Sequence, residues 1–264
     1  MKQLYILIFI ILLVPKASGQ WIDIKQLSNM GIDINQYPPQ ELLGFGIGNC
    51  DLELIKSAIV KGAELNKQLE VGLGGISIFP LCKAIHWAAD ALLPGDESKL
   101  VNYIRDGGTD VYSGRSVSDL RRDYIEIIKF LLQKGAKATV SSDFNSDNIP
   151  LLIAAGYRDI EVIKLLLDFK ADPNSKDQTG TTALHILGYP SPFSWPFRIA
   201  PEIAKLLISK GAKMIPEDHG QTPLVSTKEN LRTIEYSSSP WKDYPFYNEL
   251  INSLKSLIDI YSKM

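Results

Sequence analysis

The residue types in this 264-residue chain that could do chemistry are three histidines, two cysteines and one glycine run. A histidine serves as a zinc ligand or a general base. His86, His185 and His219 show no i, i+4 pair, however, and no carboxylate stands beside them in a known ligand pattern, so no metal site is expected. A Ser-His-Asp or Cys-His site is assembled in space rather than along the chain. A hydrolase using the Asp and Ser residues of 86–122 therefore stays open as an alternative. Gly72, Gly74 and Gly75 in VGLGGIS could offer amides to a phosphate, but a phosphate loop ends in Gly-Lys-Ser/Thr and opens a helix. Here Ile76-Ser77-Ile78 follows, so the stretch reads as an enlarged turn, and no cofactor is implied.

Bulk properties narrow the partners. The chain is 45% hydrophobic and 22% charged, with a formal net charge of −2, the composition of a globular protein. No surplus of Lys and Arg exists to neutralise phosphates, which argues against a nucleic-acid partner. Two cysteines cannot build a disulfide scaffold, so stability must come from a packed core. The first residues stand apart: Lys2, then the apolar run Leu4 to Val14, then Pro15, then the small residues Ala17-Ser18-Gly19. That order is the pattern of a secretory signal peptide over 1–19, with cleavage expected before Gln20. The run is shorter than the roughly 20 apolar residues of a spanning helix, so no stable membrane insertion is expected after cleavage.

The elements that must position any site repeat along the chain. Four amphipathic helical segments are LELIKSAIVKGAELN (52–66), YIEIIKFLLQKGAKAT (124–139), DIEVIKLLLDFKADPN (159–174) and PEIAKLLISKGAKMI (201–215). Gly62, Gly135 and Gly211 stop three of them, because glycine takes the left-handed conformation without steric cost. Lys170 stands at that place in the other. Upstream lie FPLCKA (79–84), IPLLIAA (149–155), TALHIL (182–187) and TPLVST (222–227), where threonine caps a helix and proline occupies its first turn. The unit NIPLLIAAGYRDIEVIKLLLDFKADPN (148–174) resembles the ankyrin repeat, two antiparallel helices followed by a β-turn finger.

The resemblance implies an all-α ankyrin-repeat solenoid of helix-turn-helix units with β-turn fingers, two insertions and helical caps. It covers nearly all of 21–264: an N-terminal capping half-repeat over 20–40, then about five units over 41–264, ending in a cap over 223–264. The insertions fall near 86–123, which holds an expected helix over 96–108, and near 188–200. Each unit buries its apolar face only against its neighbours, so the stack is one quasi-linear domain.

The resemblance also orders the candidate residues. His185 occupies the Thr-x-Leu-His position and is expected to be structural. Cys50 falls at a turn between helices and Cys82 at the start of the next helix, roughly 10 Å apart at 1.5 Å per residue, so no disulfide is expected. Family members bind other proteins through finger tips and the exposed ends of first helices. Those positions are His86, Trp87, Gly156 and Tyr157 on helices, and Asn145, Ser146, Asn148, Gln178, Thr179, Thr181, Asp218, His219 and Gln221 on fingers. Trp87 has a second reading, packing the base of the first insertion, while Trp195 is the aromatic candidate in the second. The expected function is a non-catalytic protein-binding scaffold in the periplasm or outside the cell. It could act as an immunity protein neutralising a delivered toxin, or as an exported effector binding host proteins.

Overall fold

A computed structural model of the chain describes residues 36–71, 76–90, 117–141, 143–190, 197–236, 242 and 246–264. The signal-peptide segment, most of the 20–40 capping half-repeat, the expected helix over 96–108 and the cores of both insertions lie outside the described residues. The chain divides into two compact units, the first through Ala136 and the second from Lys137.

In the first unit, α1 (Pro39–Gly48) packs on α2 (Leu52–Val60), and α3 (Pro80–Asp90) packs on α4 (Val117–Gln133). The first helices of the pairs, α1 and α3, also lie against each other. Asp51 caps α2 by accepting the Leu54 amide at 2.9 Å, satisfying one of the helix's orphan N–H groups. Ile55, Ile127, Ile128 and Leu131 are essentially sealed from water, each burial contributing roughly 1.5–3 kcal/mol. Between the pairs, β1 (Leu69–Val71) and β2 (Ile76–Ile78) form an antiparallel hairpin with Glu70 opposite Ser77, so the expected enlarged finger is built on strands. Its tip, with Gly72, Gly74 and Gly75, lies outside the described residues.

The C-terminal carbonyls of α1 are gathered by side chains. Lys83 donates to the Gly44 carbonyl at 2.8 Å, and the Tyr124 hydroxyl donates to that of Gly48 at 3.2 Å. Burial pushes the Lys83 ammonium down to about 8, because the charged form loses its hydration. Cys50 and Cys82 are both buried and no disulfide joins them.

The second unit repeats the pairing: α5 (Pro150–Gly156) with α6 (Ile160–Asp168), α7 (Ala183–Leu187) with α8 (Ala200–Ser209), and α9 (Pro223–Glu235) with α10 (Tyr247–Tyr261). The first helices α5, α7 and α9 stack in order, and α8 lies against α10. The stop glycines do what their position demands, with φ of +99° at Gly62, +98° at Gly135 and +96° at Gly211. Lys170 takes the same conformation at +63° in spite of its Cβ.

Consecutive repeats are stapled at one recurring place. Asn66 donates to the Gly135 carbonyl at 3.0 Å. One repeat on, Thr139 accepts the Asp172 amide at 2.8 Å. Asn174 then donates to Gly211 at 3.0 Å and accepts from the Lys213 amide at 2.8 Å. At the near end Gln40 makes the corresponding bonds to Glu64, donating to its carbonyl at 3.0 Å and accepting its amide at 2.9 Å. Asn66 and Asn174, each near the end of a repeat, thus satisfy backbone groups at the helix stop of the next one.

The first insertion is narrower than the span 86–123. His86 to Asp90 continue α3, and α4 begins at Val117. Helix propagation adds a bond per residue at little further cost, which carries α4 upstream through the polar run SDLRRD.

Candidate functional site

The fingers of the second unit form a hydrogen-bonded row. Asp177 nucleates the central finger, its carboxylate accepting from the Thr179 amide at 2.9 Å, the Thr179 hydroxyl at 2.7 Å and the Thr181 amide at 3.0 Å. An aspartate reaching two and four residues on is the Asx-turn device, and Gly180 completes it at φ +80°. The Gln178 amide then donates to Phe144 of the preceding finger, and the Asp218 amide donates to Thr179 from the following one, both at 3.0 Å. A Cβ on Gly180 would lie 3.0 Å from both the Asp218 carboxylate and the Glu217 Cα, so glycine is required for close approach as well as for φ.

His185 locks the row to the helices beneath. Its Nδ1 accepts the Thr182 amide at 3.2 Å and sits 2.9 Å from the Thr182 hydroxyl, while Nε2 is 3.0 Å from the Gln221 carbonyl. The amide can only donate and the carbonyl can only accept, which assigns the proton to Nε2. Burial lowers the His185 pKa, partly opposed by the Gln221 hydrogen bond and by the charges of Glu217 and Asp177. A hydroxyl against an imidazole is also the geometry of a nucleophile and its base. Here, however, Thr182 and His185 are sealed from water, and Nε2 is engaged by backbone, so the pair serves as a cap. Among the described residues no group of three metal-ligating side chains occurs.

The row brings several of the sequence candidates together. Asn145, Gln178, Thr179 and His219 are exposed, and Thr181 and Gln221 are half-buried. Asn148 is buried and bonds to Asn145, so it holds its finger rather than presenting a surface. His219 leans on Glu217 at 3.2 Å, and that contact holds the Glu217 carboxyl below its ordinary range. Tyr157, half-buried, follows α5 as its C-cap. His86 and Trp87 lie in the first unit and are half-buried; the Trp87 indole stacks on Tyr124 at 6.4 Å and 10°. That gives Trp87 a packing role on its partner helix α4. Trp195 lies outside the described residues.

Three features of the second unit escape a reading by motif. Tyr189 is 36% exposed, and burial of the rest of its side chain raises its pKa. Arg158 is buried at φ +54°, donating to the Leu187 carbonyl at 3.2 Å and that of Tyr189 at 3.3 Å, with its guanidinium 5.1 Å from the Phe197 ring centroid. It therefore grips both ends of the second insertion. Desolvation pushes its pKa down to about 9. The third feature is Gly188, which packs directly under Thr227.

Comparison with known proteins agrees with this architecture. Residues 118–187 match the family model of ankyrin repeats, three copies. An ankyrin repeat protein of fowlpox virus (strain NVSL) is 31% identical over 67 residues, 25% of this chain and 20% of the relative. The chain thus matches about a fifth of that relative's length.

Proposed function

We propose that the chain, whose residues 118–187 match ankyrin repeats and so resemble units that are in general protein-interaction scaffolds, is a non-catalytic scaffold gripping another protein after export to the periplasm or cell exterior. The observation that carries the binding reading is the finger row. Backbone and buried side chains hold Gln178, Thr179 and His219 outward on a hydrogen-bonded frame, so a partner meets polar groups whose ordering cost is already met. The Thr182–His185 hydroxyl–imidazole contact beneath that row is used structurally. Export rests on the signal-peptide pattern of residues 1–19.

Affinity capture tests the reading. Protein expressed from the full chain should begin at Gln20 by mass spectrometry and retain a partner from its own compartment. Gln178→Ala with His219→Ala should reduce capture about tenfold or more without lowering the melting temperature, since both side chains are exposed. Undiminished capture in that variant, and in Trp87→Ala and Tyr157→Ala, would move the interface off the finger and inner-helix surface. An unprocessed N-terminus retained in the cytoplasm would refute export.

A further inference from the structure

A second surface lies on the opposite member of the helix pairs. Between α8 and α10 runs an open groove of about 840 Å³. Its apolar lining comes from Pro201 and Ile208 on α8 and from Ile260 and Met264 on the α10 side, and Met264 is 51% exposed. Lys205, Lys255 and Lys263 rise from the same walls, against Asp259 as the single acidic side chain in the lining. Asp259 is already held by Lys263 at 2.6 Å, and Glu235 from outside the groove holds Lys255 at 2.9 Å. Lys205 has no carboxylate partner among the described residues.

We infer that this groove is a docking site for an acidic amphipathic helix of a partner protein, distinct from the finger row. The walls fit that shape: Pro201 to Ile208 on α8 and Lys255 to Ile260 on α10 each present one to two helical turns, roughly 7–11 Å, along a trough between two helices. An apolar stripe of the incoming helix covers Ile208, Ile260 and Met264, the unbranched methionine adapting to it. Carboxylates on its flanks meet Lys205 directly and compete for Lys263, whose pair with Asp259 is exposed and therefore weak. The charge also argues against a second copy of this chain, because two-fold self-pairing would set the same lysines against each other. The open trough offers no buried polar group to orient a small ligand.

The test uses the full chain with a fluorescein-labelled helical peptide bearing leucines on one face and glutamates on its flanks. A lysine-for-glutamate counterpart and phosphatidylcholine vesicles with and without phosphatidylglycerol serve as competing probes. The acidic peptide should bind, weaken as salt rises, and lose about tenfold or more in affinity with Lys205→Glu plus Lys263→Glu. Met264→Glu, at an exposed position, should weaken it further without unfolding the protein. Gln178→Ala with His219→Ala should leave it unchanged, which separates failure here from failure of the finger-row reading. Failure of the acidic peptide to bind, equal binding of both peptides, binding that survives the lysine reversals, preference for the anionic vesicles, or concentration-dependent self-association abolished by Met264→Glu would each overturn the inference.

Discussion

Replacing His185 by alanine removes three contacts at once from a sealed site. The Gln221 carbonyl loses its donor at 3.0 Å, and the Thr182 amide and hydroxyl lose the acceptor that stood at 3.2 and 2.9 Å. Thr182 is 2% exposed, so water cannot easily replace the ring. A stranded buried polar group costs about 1–3 kcal/mol, and the missing imidazole adds a void, so about 3–5 kcal/mol of stability should be lost. Urea denaturation followed by far-ultraviolet circular dichroism reads this, with Val225→Ala as the control. Val225 occupies the register of His185 in the next pair but is 41% exposed, so the control should move stability by less than about 0.5 kcal/mol. The pH dependence has a definite sign. Burial lowers the folded pKa of His185, so the unfolded state takes up the proton first. The histidine's contribution is complete above the unfolded value of about 6.5 and declines as pH falls towards the lower folded value, by at most about 1.4 kcal/mol per pH unit. A loss under about 1 kcal/mol, or an advantage over alanine that grows on acidification, would refute the assigned proton and the role of the ring as a lock.

Two further perturbations probe the second unit. Arg158→Gly should be less damaging than Arg158→Ala by about 1 kcal/mol in the same denaturation assay, because at φ +54° only glycine escapes the Cβ penalty; equal stabilities would contradict the strained turn. Gly188→Ala would drive a Cβ into the Thr227 hydroxyl and should cost more than about 2 kcal/mol, as over-packing does. Thr227→Ala in the same chain should recover part of that loss, and a strictly additive double-mutant cycle would show that the two residues do not collide.

The repeat was legible from the chain because each unit restates it locally. Periodic apolar residues, a proline or threonine at the first turn, and a glycine at the stop act within a few residues of themselves, and the helices and positive-φ glycines fall where those signals put them. The functional reading was less legible. Asn148 is buried and bonded within its own finger, and Trp87, half-buried, stacks on Tyr124 of its partner helix. Repeat register places a residue on a finger or helix, but the packing around it decides how much of its side chain is exposed. Lys83 and Arg158 carry charges into poorly hydrated places that their immediate sequence does not announce.

What the sequence by itself determined, then, is the all-α repeat: its helices, stops and caps depend on contacts between residues near in the chain. The tertiary structure alone decided which groups meet across repeats. His185 finds Gln221 36 residues away, the Gly180 turn admits Asp218, and Arg158 reaches Leu187, Tyr189 and Phe197. Such pairings depend on how repeats stack, and on the few ångströms between backbones that a glycine leaves open and a side chain would close.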